Sequence, residues 1–91
     1  MSGTIRLRSS EVDWRAIERE VVALDSRRSL YFGVNEAGAL LWQALASGTT
    51  NAELVATLVE HFGISTVRAE TDVGAFLAAL EAEDLLEVGD A

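Results

Sequence analysis

The stretch Ser29-Leu30-Tyr31-Phe32-Gly33-Val34-Asn35 is where the chain changes from one kind of structure to another. Leu30, Phe32 and Val34 fall on one face of an extended segment and Tyr31 and Gly33 on the other, so the pattern predicts a strand over Ser29 to Val34. Asn35 follows at once as a good helix N-cap. Upstream, Glu20-Val21-Val22-Ala23-Leu24 is rich in strand formers, and Asp25-Ser26-Arg27-Arg28 is polar and short enough for a hairpin turn. Val12, Trp14 and Ala16 alternate with polar residues, as do Ile5 and Leu7 further back. The most economical arrangement is a three-stranded antiparallel meander ending on Leu30–Val34. That last strand then lies at an edge with one row of N–H and C=O groups unpaired. No Lys, Pro or inward charge blunts it, and Gly33 removes a side chain where another backbone would approach. An edge of this kind is suited to accepting a peptide as an added strand.

Downstream of Asn35 the period changes to that of helices. Leu40, Leu41, Ala44 and Leu45 form a stripe with Trp42 beside it, and Gly48 is placed to end that helix. Thr50-Asn51-Ala52-Glu53 matches a capping box, after which Leu54, Val55, Leu58, Val59 and Phe62 make one buried face up to Gly63. A third helix is predicted from about Thr66 or Val67 to Glu83, with Ala69, Val73, Phe76, Leu77 and Leu80 as its stripe. Leu85, Leu86 and Val88 read as an apolar tail that packs back on the domain. One α+β domain over residues 1–91 is the expectation.

Composition narrows the function. With 91 residues, 49% of them hydrophobic, and a mean hydropathy of +0.21, the chain is long and apolar enough to fold around one core. It has no cysteine and a single histidine, His61, which removes disulfides, thiolate nucleophiles and histidine-cluster metal sites. The longest apolar run, Ala37 to Trp42, is too short to span a membrane. No apolar segment follows Arg6 and Arg8 to make a signal peptide, so a cytoplasmic protein is expected. The net charge of −8 disfavours phosphate backbones and anionic lipid alike. Residues 35–91 carry only Arg68 against ten acids.

Chemistry-bearing constellations are missing from the sequence. Ser9, Ser10, Ser26 and Ser29 would need a base, and His61, the sole candidate, falls in a last helical turn where an imidazolium suits the helix dipole. Glu81, Glu83, Asp84 and Glu87 match no calcium loop, and no phosphate-binding glycine loop is present. The aromatic residues Trp14, Trp42, Tyr31, Phe32, Phe62 and Phe76 are mostly assigned to the core. The expectation is a protein with no enzyme activity, no metal and no cofactor. A strand pair, a helix, a turn at Gly63 and another helix outline a winged helix-turn-helix. The would-be recognition helix, however, sets Arg68 against Glu70, Asp72, Glu81 and Glu83, the wrong charge for DNA.

The ordered combination Val21-Val22-x-Leu24-Asp25, Tyr31-Phe32-x-Val34-Asn35, Gly38, Trp42-x-x-Leu45 and Gly48-x-Thr50-x-x-Glu53-Leu54 resembles the PqqD-like family. Asp72-Val73, Phe76-Leu77, Leu80 and Leu85-Leu86 continue the pattern, which covers roughly residues 12–88. Members are recognition domains for ribosomally made, post-translationally modified peptides, and the chain length resembles that of the stand-alone lasso-type members. The resemblance implies a winged helix-turn-helix-like α+β fold, a three-stranded antiparallel sheet followed by three helices. It implies that a precursor's leader peptide adds as a strand beside the third strand, in a groove bordered by the third helix. The leader is then presented to a leader peptidase and an ATP-dependent macrolactam cyclase. Carried onto this chain, the peptide-binding residues are Ser29, Leu30, Tyr31, Phe32, Gly33 and Val34, with Ala69, Asp72, Val73 and Phe76 from the third helix. Other functions of the same outline are a DNA-binding regulator and the peptide chaperone of pyrroloquinoline quinone synthesis. The chain departs from the family pattern at Arg27-Arg28, at Val34 and at Asp84, where glycine, leucine and glycine are common.

Overall fold

The helices begin where short polar side chains close their first turns. Asn35 Oδ1 accepts from the Gly38 N–H at 3.0 Å, ahead of α1, Glu36–Ser47. Thr50 Oγ1 accepts from the Glu53 N–H and donates to Glu53 Oε1, both at 3.2 Å, opening α2, Asn51–Phe62. Ser65 Oγ accepts from the Arg68 N–H at 3.1 Å at the start of α3, Thr66–Ala82. Each such cap contributes about 1 kcal/mol. Gly63 ends α2 with φ 66°, a conformation that suits glycine, and its N–H donates to the Val59 carbonyl at 2.9 Å.

The computed structural model describes residues 4–8, 12–27 and 29–89. Its strands are β1 Thr4–Leu7, β2 Val12–Ile17, β3 Glu20–Asp25, β4 Leu30–Val34 and β5 Leu86–Gly89. β2, β3 and β4 form the antiparallel meander, with β4 at one edge. The α+β architecture is therefore a three-stranded antiparallel sheet followed by three helices. Two further strands lie outside that outline. β1 is not part of the meander but pairs antiparallel with β5, Thr4 opposite Gly89 and Leu7 opposite Leu86. The tail after Leu85 is thus a strand, and its partner lies at the other end of the chain, beyond the reach of any local periodicity.

The core fills the space between the meander and the helices. Val21 and Ala23 on the inner face of β3 meet Leu41, Trp42 and Leu45 of α1, Leu54 and Leu58 of α2, and Ala69, Val73 and Leu80 of α3. Of the aromatic residues, only Trp42 is fully buried; Phe32 and Phe76 are half-buried, while Trp14, Tyr31 and Phe62 are exposed. Trp42 stacks edge-on against Trp14, ring centroids 6.4 Å apart. The α1 face is also rotated from the expected one: Gly38, Ala39, Leu41, Trp42 and Leu45 are buried, and Leu40 and Ala44 only partly so.

One charged group goes into this core. Asp25, expected in a surface turn, has no exposed area. Its Oδ2 lies 3.3 Å from Arg8 Nη2, and its Oδ1 accepts from the Arg27 N–H at 3.1 Å. Arg8 Nε in turn donates to the Asp84 carbonyl at 2.8 Å. The pair therefore ties the end of β3 to the segment after β1 and to the turn before β5. No helix among the described residues is long and apolar enough to cross a membrane.

Candidate functional site

The exposed row of β4 can be worked out from the hairpin beside it. β2 and β3 are joined by the two residues Glu18 and Arg19, and Ile17 pairs with Glu20. A two-residue turn closes on a hydrogen-bonded pair, and such pairs alternate along an antiparallel ladder. Val21, Ala23 and Asp25 therefore bond toward β4, and their partners Val34, Phe32 and Leu30 bond back. The N–H and C=O groups of Tyr31 and Gly33 are left pointing out of the sheet. Tyr31 is 75% exposed, Gly33 is exposed, and no strand pairs with this edge among the described residues.

Beside that edge runs a groove of about 490 Å³. Gly33, Val34 and Asn35 line one side, and Asp72, Ala75 and Phe76 of α3 line the other. Gly38, Leu41 and Leu58, all buried, form its floor. Its polar side chains are Asn35, whose Oδ1 is occupied by the Gly38 N–H, and the half-exposed Asp72, whose Oδ2 lies 3.8 Å from Arg68 Nε. The lining is otherwise apolar. An extended backbone laid along β4 would find its alternate side chains facing this trough.

The structure brings Gly33, Val34, Asp72 and Phe76 together around the groove. Ser29, with φ 54°, precedes the strand, and Leu30 and Phe32 turn toward the helical face. Ala69 and Val73 have no exposed area and pack in the core beneath. The sequence reading did not single out Ala37, Gly38, Leu41, Leu58 or Ala75 for the groove. Ala75 sits three residues after Asp72 on α3, a spacing that could have signalled a shared face. Gly38 has a steric role. A methyl group there would overlap Val34 Cγ1 and lie 3.1 Å from Phe76 Cε1. Gly38→Ala is expected to cost about 1–3 kcal/mol by overpacking and to narrow the groove. Thermal unfolding would show the loss of stability.

Elsewhere the chemistry is sparse. His61 Nε2 lies 3.8 Å from Glu36 Oε2, and its ring stacks edge-on with Phe62. Ser9 and Ser10 lie outside the described residues. Among the described residues no cluster of three or more His, Asp or Glu side chains could hold a metal ion. A shallower hollow of about 290 Å³ lies on the meander, lined by Trp14, Ile17, Val22, Leu24 and Tyr31 among others.

A small α+β domain with an open sheet edge and a flanking apolar groove has the geometry by which extended peptides are taken up as added strands. Comparison with known proteins gives its family. Residues 20–86 match the family model described as coenzyme PQQ synthesis protein D, and the chain belongs to this PqqD family. It resembles the solved structure of TbiB1 in complex with the TbiA(beta) leader peptide, with 30% identity and a TM-score of 0.83, covering 90% of this chain and 94% of that one. It also resembles lasso peptide synthetase B1 complexed with the leader peptide, with 26% identity and a TM-score of 0.80, covering 91% and 96%. None of the curated proteins matches the chain. Two of the departures from the family pattern meet in space: Arg27 Nη2 lies 3.1 Å from Asp84 Oδ2. Asp84 also takes φ 58°, a backbone conformation glycine adopts without strain.

Proposed function

We propose that this chain binds the leader segment of a ribosomally made precursor peptide and presents it to a leader peptidase and a macrolactam cyclase in lasso peptide biosynthesis. The observation that carries the reading is the open β4 edge beside an apolar groove walled by α3. The likeness to two leader-peptide complexes supports it. In this reading the leader pairs with the outward N–H and C=O groups of Tyr31 and Gly33, and its alternate side chains enter the groove. Backbone pairing supplies affinity for any extended segment, and the groove selects among side chains. The protein itself performs no bond-making or bond-breaking step, and its role is to hold and deliver. The DNA-binding alternative is disfavoured by the net charge of −8 and by the acidic α3.

The test is an NMR titration with a synthetic leader peptide of a lasso-type precursor. Amide shifts are expected to cluster on residues 29–34 and 67–80; shifts confined to α1 and α2 would sink the proposal. Tyr31→Pro sharpens it. Proline there removes an outward N–H and leaves the β3–β4 ladder intact, so the variant should stay folded and lose leader affinity. Presentation is tested separately, by whether adding this chain accelerates cleavage of the precursor by the purified peptidase.

A further inference from the structure

The meander has a second open edge, and its strand is almost bare. In β2, Val12 is half-buried and every residue from Asp13 to Ile17 is exposed, including Trp14 at 39% and Ile17 at 50%. β2 is held by β3 on one side, and no strand pairs with its other side among the described residues. Asp13 and Arg15 sit on the face away from the helices, and neither takes part in an ion pair among the described residues. We infer that β2 is a self-association edge, where two copies of this chain join through antiparallel β2–β2 pairing centred on Trp14.

The alternation derived for the hairpin supplies the register. Ile17, Arg15 and Asp13 bond to β3, so the N–H and C=O groups of Val12, Trp14 and Ala16 point outward. A two-fold axis at Trp14 sets Trp14 opposite its own copy, and Val12 opposite Ala16 of the second copy. All three positions then lie at hydrogen-bonded sites of the new ladder. The same register places Asp13 opposite Arg15 of the other copy, twice by symmetry, at the closer, non-hydrogen-bonded positions where cross-strand charges interact best. Sliding the copies by two residues along the ladder breaks this charge match. The contact is isologous and closes on itself, giving a dimer and not a fibre. The resulting six-stranded sheet carries β4 at both outer margins, so each copy keeps its peptide groove open. The surface is small, and association is accordingly weak and concentration-dependent.

Sedimentation equilibrium across the micromolar to millimolar range tests this without any peptide. The protein should pass from monomer to dimer. Asp13→Arg puts arginine opposite arginine at two equivalent sites and should raise the dimer dissociation constant by about tenfold or more. The double exchange Asp13→Arg with Arg15→Asp restores opposite charges and should restore the dimer. Ala16→Pro removes an outward N–H that the β2–β3 hairpin does not use, and should give a monomer with an unchanged circular dichroism spectrum. A wild-type protein that stays monomeric throughout the range overturns the inference. So does a dimer whose affinity is unchanged by Asp13→Arg.

Discussion

Asp25→Ala is expected to be the most destabilising single substitution at any polar position of the described chain, costing about 3–5 kcal/mol. The carboxylate has no exposed area and the Arg8 side chain only 11%. Removing the acid takes a carboxylate from beside a guanidinium that is nearly buried, and it also removes the acceptor of the Arg27 N–H. For a domain whose total stability is on the order of 5–15 kcal/mol, a loss of this size unfolds a substantial fraction at moderate temperature. Urea unfolding followed by circular dichroism measures it. The double variant Arg8→Met with Asp25→Leu separates the cost of removing one partner from the net value of the pair. An apolar replacement of both partners should recover most of the loss. A single variant within about 0.5 kcal/mol of wild type would mean that the pair carries no weight.

The second large effect is on binding. Phe76 is half-buried, lines the groove and packs against the core cluster. Phe76→Ala is expected to weaken leader binding by about 2 kcal/mol or more, roughly thirtyfold in dissociation constant. Because the ring also packs against core residues, some stability is lost as well, though less than the 3–5 kcal/mol typical of a fully buried Phe. Isothermal titration below the variant's melting temperature isolates the binding loss. Full affinity in a folded Phe76→Ala protein would place the recognition elsewhere.

Much of the fold could be read from short-range signals. The caps at Asn35 and Thr50, the stop at Gly63 and the stripe along α3 are all set within a few residues, and each appears where the sequence predicted it. The face of β4 followed from its period of two. What escaped depends on pairing between distant segments. The β1–β5 sheet joins residues with almost the whole chain between them, so its two strands read as an isolated strand and an apolar tail. Asp25 looked like a turn residue because its burial is created by Arg8, which arrives from another element. Of the groove, the open edge was legible in the strand pattern and the α3 wall came with the family resemblance. The groove's floor was not legible, because Gly38, Leu41 and Leu58 belong to two helices whose packing no single periodicity describes.

The pairing of the chain's two ends has a kinetic side. Loop-closure entropy rises only as the logarithm of length, but contacts across nearly a full chain form late compared with helices and hairpins. β1 and β5 therefore act as a closing clip, the last ladder to zip and the first to fray. Hydrogen exchange should show the Ile5 amide, which donates to the Thr49 carbonyl, opening before those of α2. The groove residues come from β4, α1, α2 and α3, and none lies on the clip. Fraying at the ends can proceed while the groove keeps its shape.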